Sequence, residues 1–296
     1  MKKMNAALLL MISIASVVAA ADKPVLVNPQ WVHEHLQEPD LVILQSNFLR
    51  LDFEREHIAG SRFLWPSWLA PDSPEGSFNA PDARAATALL QSLGISKNTH
   101  VVLCYVRNEV SATARMFLTL EHLGLRGQVS FLNGGLDAWK RAGYPVATGP
   151  AGEVKRGNFV AKPVGLLVDR QYVLDKLSNG GSVIVDARVQ RFYDGDPTGN
   201  PRDGHITGAV NIPYLDLINS ETNEIKTSEQ LQSYFTPVAP GKDKELVSYC
   251  FIGQTASVVY LAGRSLGYSM KLYDGSMQEW SRIDSCPMEK SPPKGN

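Results

Sequence analysis

The chain has 296 residues, 44% of them apolar, enough for a sizeable core and more suited to two domains than one. Its 29 basic residues balance 30 acidic ones with no long run of either sign, which excludes a nucleic-acid-binding face as the organising feature. Three cysteines in so long a chain exclude a disulfide framework.

Lys2 and Lys3 precede an apolar run over 6–18 and then Ala19, Ala20 and Ala21. That is the pattern of a secretory signal peptide cut near Ala20 or Ala21. The run is short for a membrane span, and no cysteine follows it to take a lipid. The sequence therefore predicts a signal over 1–21, an exported, periplasmic mature chain, and no stable membrane insertion after cleavage. An uncleaved anchor is the alternative. In an oxidising compartment an odd cysteine count leaves at least one thiol unpaired in a monomer.

Asn28 can cap a helix that Pro29 opens, and 41–44 reads as a strand. A polar stretch over 52–57 leads into His57-Ile58-Ala59-Gly60. Residues 71–81, rich in Pro, Ser, Gly and Asn, read as a loop. A helix over 83–93 closes at Gly94, a strand covers 101–105, and a helix over 111–123 stops at Gly124. A strand over 129–132 turns through Asn133, Gly134 and Gly135 into a helix carrying Trp139. Residues 145–157, with Gly149, Pro150 and Gly152, read as linker.

The second half repeats the plan. A helix over 169–177, a strand over 182–186 and a Gly/Pro/Asp-rich loop over 194–204 lead to His205-Ile206-Thr207-Gly208. His57 matches His205, Cys104 matches Cys250, Gly134 matches Gly275 and Trp139 matches Trp280, all about 140 to 150 residues apart, as two copies of one domain require. Alternating strands and helices make each copy an α/β unit, a parallel sheet with helices on both faces.

Chemistry concentrates at Cys250. Residues 246–249 read as a short buried strand, Gly253 permits a positive φ in mid-loop, and a helix of small and apolar residues follows from Thr255. Amides of such a loop, with a helix N-terminus behind them, form an anion-binding concavity. A cysteine at its mouth is expected to sit as thiolate and act as a nucleophile. The plainer reading is a buried structural cysteine.

Asp186-Ala187-Arg188, the run from His205 to Pro213, Tyr249-Cys250 with Gly253 and Thr255, and Tyr273-Asp274-Gly275 with Trp280 together resemble the rhodanese family of sulfurtransferases. The tandem arrangement resembles the two-domain thiosulfate and 3-mercaptopyruvate enzymes. The resemblance implies a rhodanese-like, non-catalytic domain over 22–148, a linker over 149–165 and a catalytic domain over 166–290. It implies that Cys250 takes a sulfane sulfur from a small anionic donor as a persulfide and passes it to a thiol or cyanide, with no metal or organic cofactor. The amides of Phe251, Ile252, Gly253, Gln254 and Thr255 would cradle that persulfide. The family's donor-binding arginine falls on Arg191, whose guanidinium suits a sulfonate or carboxylate, with Arg202 as a second cation; a surface salt bridge is the plainer role for Arg191. Arg188, His57 and His205 read as structural. Asp52 and His57 are the nearest match to the Asp and His that mercaptopyruvate enzymes place beside a loop serine.

Phe251 and Ile252 depart from both subtypes, which carry basic residues or Gly and Ser there. An apolar pair makes a less cationic pocket and argues against a doubly charged donor. Cys104 lacks the Cys-x-x-Gly spacing and is expected to be non-catalytic; a Cys104–Cys250 disulfide would have consequences for activity. Cys286 reads as incidental. A sulfur-carrier or partner-binding module is the second reading. A cysteine phosphatase needs Arg six residues after the Cys, where this chain has Ala256.

Overall fold

The computed structural model describes residues 23–74 and 76–292. The signal segment and its cleavage site lie outside the described residues. The first half runs β1 (Leu26–Val27), α1 (Pro29–His35), β2 (Leu41–Ser46), α2 (Arg50–Arg55), β3 (Arg62–Leu64), α3 (Ala83–Ser92), β4 (His100–Tyr105), α4 (Val110–Leu120), β5 (Val129–Leu132) and α5 (Gly135–Arg141). The second runs β6 (Leu167–Val168), α6 (Arg170–Asn179), β7 (Ser182–Asp186), α7 (Gln190–Asp194), β8 (His205–Ile206), β9 (Val210–Asn211), α8 (Ser228–Phe235), β10 (Glu245–Tyr249), α9 (Ala256–Ser265), β11 (Met270–Tyr273), α10 (Ser276–Trp280) and β12 (Met288–Glu289).

Apolar runs that cannot face water on either side form the middle strands. All of β4 is buried, and so is β10 apart from Glu245. The first sheet has the order β1-β5-β4-β2-β3 and the second β6-β11-β10-β7-β9, every pairing parallel. Position for position the two orders coincide, as the internal repeat requires. In the second sheet β10 runs beside β7 from Glu245↔Ser182 to Tyr249↔Asp186, so the Cys250 loop leaves the sheet next to Asp186. β8 and β12 form a small antiparallel pair apart from it.

The caps follow the sequence. Asn28 Oδ1 accepts from Trp31 N at 2.8 Å with Pro29 in the first turn, and Asp169 caps α6 through Tyr172 N at 2.8 Å. The helix expected over 111–123 is α4 followed by one wider turn over Glu121–Leu125, which Gly124 ends at φ 107°. The polar stretch over 52–57 is largely helical, in α2. Residues 149–165 carry no helix or strand, yet they lie along the first domain. Gly157 N bonds Gln91 O, Phe159 N bonds Ile95 O, and Lys162 N bonds Leu123 O, all within 3.1 Å.

The two halves share one core. α4 packs on α9, and a single apolar cluster runs from Leu103 and Phe117 through Val258 and Leu261 to Leu272. Glu121 of the first half is buried and accepts from Tyr260 Oη at 2.6 Å and from Arg264 Nε and Nη2 at 3.0 and 2.8 Å. The halves also exchange loops. Asn133 bonds both the N–H and the carbonyl of Ile225, while Asp274 accepts from Ala80 N and Gln278 exchanges two bonds with Ser77.

Candidate active site

Cys250 follows directly on β10, at the carboxyl end of a central parallel strand, where open α/β sheets place their crevices. Two bonds to α10 hold its backbone: Met277 N donates to the Cys250 carbonyl at 3.0 Å, and Cys250 N donates to Ser276 Oγ at 3.3 Å. Ser276 is buried with φ 47°, a left-handed conformation that a non-glycine residue keeps only where its surroundings enforce it. Its hydroxyl in turn donates to Tyr273 O. Cys250 itself is 1% exposed.

The loop curls over this cysteine. Gly253 turns at φ 80°, and Ser257 Oγ ties back to its carbonyl at 2.9 Å. Among the described residues, the N–H groups of Phe251, Ile252, Gly253, Gln254 and Thr255 meet no acceptor, while α9 begins immediately behind them at Ala256. Five adjacent donors backed by a helix N-terminus are a seat for an anion.

Around the loop, Phe251 packs its ring on Phe192 at 5.3 Å and lies 5.1 Å under the Arg188 guanidinium. Arg188 is held by Asp186 through Nε and Nη2 and gives a further bond to Gly204 O at 2.7 Å. It is structural, as expected, and it sets a buried cation over the Phe251 ring. Burial and then the Cys250 sulfur push the Tyr214 phenol up, which keeps it protonated.

Arg191, on α7, is exposed and stacks on its own neighbour Phe192 at 4.5 Å, with no side-chain hydrogen bond among the described residues. Arg202 is not a second substrate cation. Its guanidinium is spent on the carbonyls of Trp280, Ser281, Ile283 and Cys286, in the turn after α10. The Asp52–His57 trio is not formed either. Asp52 pairs with Arg55 and Arg107, and His57 is stacked on Phe53 with Nδ1 bound to Phe53 O. His205 repeats that arrangement on Tyr193, so both histidines pin a turn. Cys104 is fully buried in a first-domain cluster with Val102, Leu132 and Trp139, whereas Cys250 belongs to the shared core. All three cysteines are free, and burial pushes the Cys104 thiol up, which keeps it protonated.

A crevice of about 720 Å³ opens between the domains beside the loop, lined by Phe48, Glu109, Ser111, Tyr214, Asn223 and Gln254. Gln254 Nε2 bridges it to Ser111 Oγ at 3.2 Å. Glu109 has a buried carboxylate oxygen without a partner among the described residues, and burial pushes its carboxyl up to about 7, with Arg107 opposing and Asp52 adding. The native state therefore keeps this proton to higher pH than the unfolded chain. Its stabilisation is complete below the ordinary value of 4.5 and is lost as pH rises from there to about 7. Glu109→Gln should flatten the fall in melting temperature between pH 5 and pH 8; equal falls in parent and variant would contradict this.

The comparisons fit the geometry. The rhodanese-like domain model matches residues 28–142 and again 169–283. The chain belongs to the rhodanese family. It is 31% identical to the sulfur carrier protein TtuD of Thermus thermophilus, over 91% of this chain and 98% of that one. It is 32% identical to a probable 3-mercaptopyruvate sulfurtransferase of Pseudomonas aeruginosa, over 86% and 94%. The crystal structure of SseA from Escherichia coli, a 3-mercaptopyruvate enzyme, superposes with a TM-score of 0.73 at 27% identity, covering 86% of this chain and 99% of that one. This rhodanese is accordingly a sulfurtransferase, with the two-domain α/β fold that the repeated motifs predicted.

The sequence pointed to Cys250 and its loop but not to Ser276, Tyr214, Glu109 or Ser111. Each comes from another segment and meets the loop only through the fold. The one local cue was Ser276, directly after the Asp274-Gly275 turn.

Proposed function

We propose that this rhodanese carries sulfur as a persulfide on Cys250. The observation that carries the reading is the buried cysteine at the head of a loop whose next five N–H groups meet no acceptor among the described residues. The Cys250 thiolate attacks the outer sulfur of the donor, and an S–S bond forms. With thiosulfate, the donor's S–S bond breaks and sulfite leaves with the electron pair. With 3-mercaptopyruvate, the C–S bond breaks and the enolate of pyruvate leaves and is protonated. A thiolate or cyanide then attacks the outer sulfur and returns Cys250 as thiolate. The loop amides hold the anionic sulfur between the two steps.

The apolar Phe251–Ile252 pair favours a singly charged donor of the 3-mercaptopyruvate type, in keeping with the names of two of the relatives. Arg191 orients that donor's carboxylate from the rim. Arg191→Ala should raise KM for the donor about tenfold with kcat little changed, as loss of a charge-assisted contact made equally in ground and transition states requires. A fall in kcat at unchanged KM would remove Arg191 from this role.

The test of the whole reading is the intact mass of the protein after incubation with thiosulfate or 3-mercaptopyruvate. A gain of one sulfur, roughly 32 Da, that cyanide removes is expected. No gain with either donor, in protein with a free Cys250 thiol, would overturn it. The relative described as a sulfur carrier supports a second reading, in which the acceptor is a partner protein. Sulfur would then be taken up normally but released slowly to cyanide and small thiols. Export to the periplasm is proposed from Lys2, Lys3 and the apolar run alone. No helix among the described residues is long and apolar enough to cross a membrane.

A further inference from the structure

The first domain has no cysteine loop of its own kind, yet it sets a cation directly behind the second domain's loop. Arg115, on α4, is 0% exposed. Its Nη2 donates to Asp274 Oδ1 at 2.5 Å, across the domain interface. The other Asp274 oxygen accepts from Ala80 N at 2.8 Å. The guanidinium also lies against the turn of the Cys250 loop. A Cβ built on Gly253 would stand 3.0 Å from Arg115 Nη1 and 3.4 Å from the Asp274 carbonyl oxygen. Among the described residues, Arg115 Nε and Nη1 meet no acceptor.

This is a costly placement. A guanidinium taken out of water needs most of its donors satisfied, and here one carboxylate oxygen satisfies one nitrogen. As a fastening alone, the pair has no advantage over apolar packing of the same shape. Its orientation is what distinguishes it. The negative end, Asp274, is turned to Ala80 of the first domain, and the positive end, Nη1, is pressed against Gly253. The ion pair is thus a fixed dipole aimed at the back of the anion seat, in a dry setting where charge is weakly screened.

We propose that Arg115 is a positioning residue for the sulfur-transfer site: it props the Gly253 turn from behind and biases the loop to hold an anion at Cys250. The inference rests on the persulfide reading and adds to it that the first domain is a working part of the site.

The test compares alkylation of Cys250, read by peptide mass in the full chain, with iodoacetate and with iodoacetamide. The two reagents are close in size and differ in charge, so their rate ratio reports the field at the sulfur, while a loosened loop alters both rates alike. R115M should lower the iodoacetate-to-iodoacetamide ratio about threefold or more, R115K should restore much of it, and D274N should raise it. Unchanged ratios in R115M and D274N would overturn the proposal. Should R115M fail to fold, D274N and R115K decide: a raised ratio in the first and a near-parental one in the second support it, and no change in D274N defeats it. Alkylation needs no sulfur donor. A parent protein that takes up no sulfur therefore sinks the persulfide reading, and unchanged ratios sink this one.

Discussion

Cys250→Ser abolishes sulfur uptake, with turnover lowered on the order of 10⁴-fold or more. The hydroxyl is nearly isosteric with the thiol, so the backbone bonds to Met277 and Ser276 and the curl of the loop persist. What is lost is the sulfur nucleophile, without which no S–S bond can form. Intact mass after donor treatment should show no added sulfur, while the urea unfolding midpoint stays close to that of the parent. Cys104→Ala and Cys286→Ala should keep uptake, because both thiols are buried and burial pushes both up. Sulfur retained on Cys250→Ser would move the chemistry to one of those two.

Arg188→Met destabilises the second domain by about 3–5 kcal/mol, the usual cost of removing one partner of a buried ion pair. Both side chains of the Arg188–Asp186 pair are essentially fully buried, at 1% and 0% exposure. Removing the guanidinium strands the Asp186 carboxylate between β7 and β10 and leaves the Gly204 carbonyl without its donor. Methionine fills much of the volume but supplies no N–H. The check is urea denaturation of Arg188→Met beside the double variant Asp186→Leu/Arg188→Met. The double variant should recover a good part of the loss, because an apolar pair does not leave a buried charge unmatched. Equal stability of parent and Arg188→Met would show that water reaches this pair. The single variant should also transfer sulfur more slowly, since Phe251 loses the cation above its ring.

The parts of the fold that could be read from the sequence are those written in local pattern. Short, mostly apolar runs gave β4, β5, β7 and β10, and Asn28-Pro29 and Asp169 marked helix starts within a residue. Recurrence of His57, Cys104, Gly134 and Trp139 at matching places gave the duplication. What escaped was short or polar. α2 reads as solvent-facing chain until Phe53 is seen buried, and β3, β8 and β9 have only two or three residues each. α8 did carry a signal, the Thr227–Gln230 capping box, but its apolar face is too thin to stand out from the surrounding loop. At the site, Cys250, Gly253 and the helix behind them are contiguous and were legible. Arg202 was misread because a loop arginine looks the same whether it awaits a ligand or binds carbonyls 80 residues on. Arg115 was invisible because nothing in α4 tells that its neighbour is a loop of the other repeat.

The stitched linker and the unbroken core between α4 and α9 bear on how a donor gets in. Proteins of two lobes often admit ligands by swinging apart on a hinge. Here the connecting segment is hydrogen-bonded along one lobe and the lobes share their interior, so a swing would tear apolar contacts and the Glu121 and Arg115 pairs at once. The Gln254–Ser111 bridge beside the crevice is an uncharged hydrogen bond, and moving those two side chains costs far less than parting the lobes.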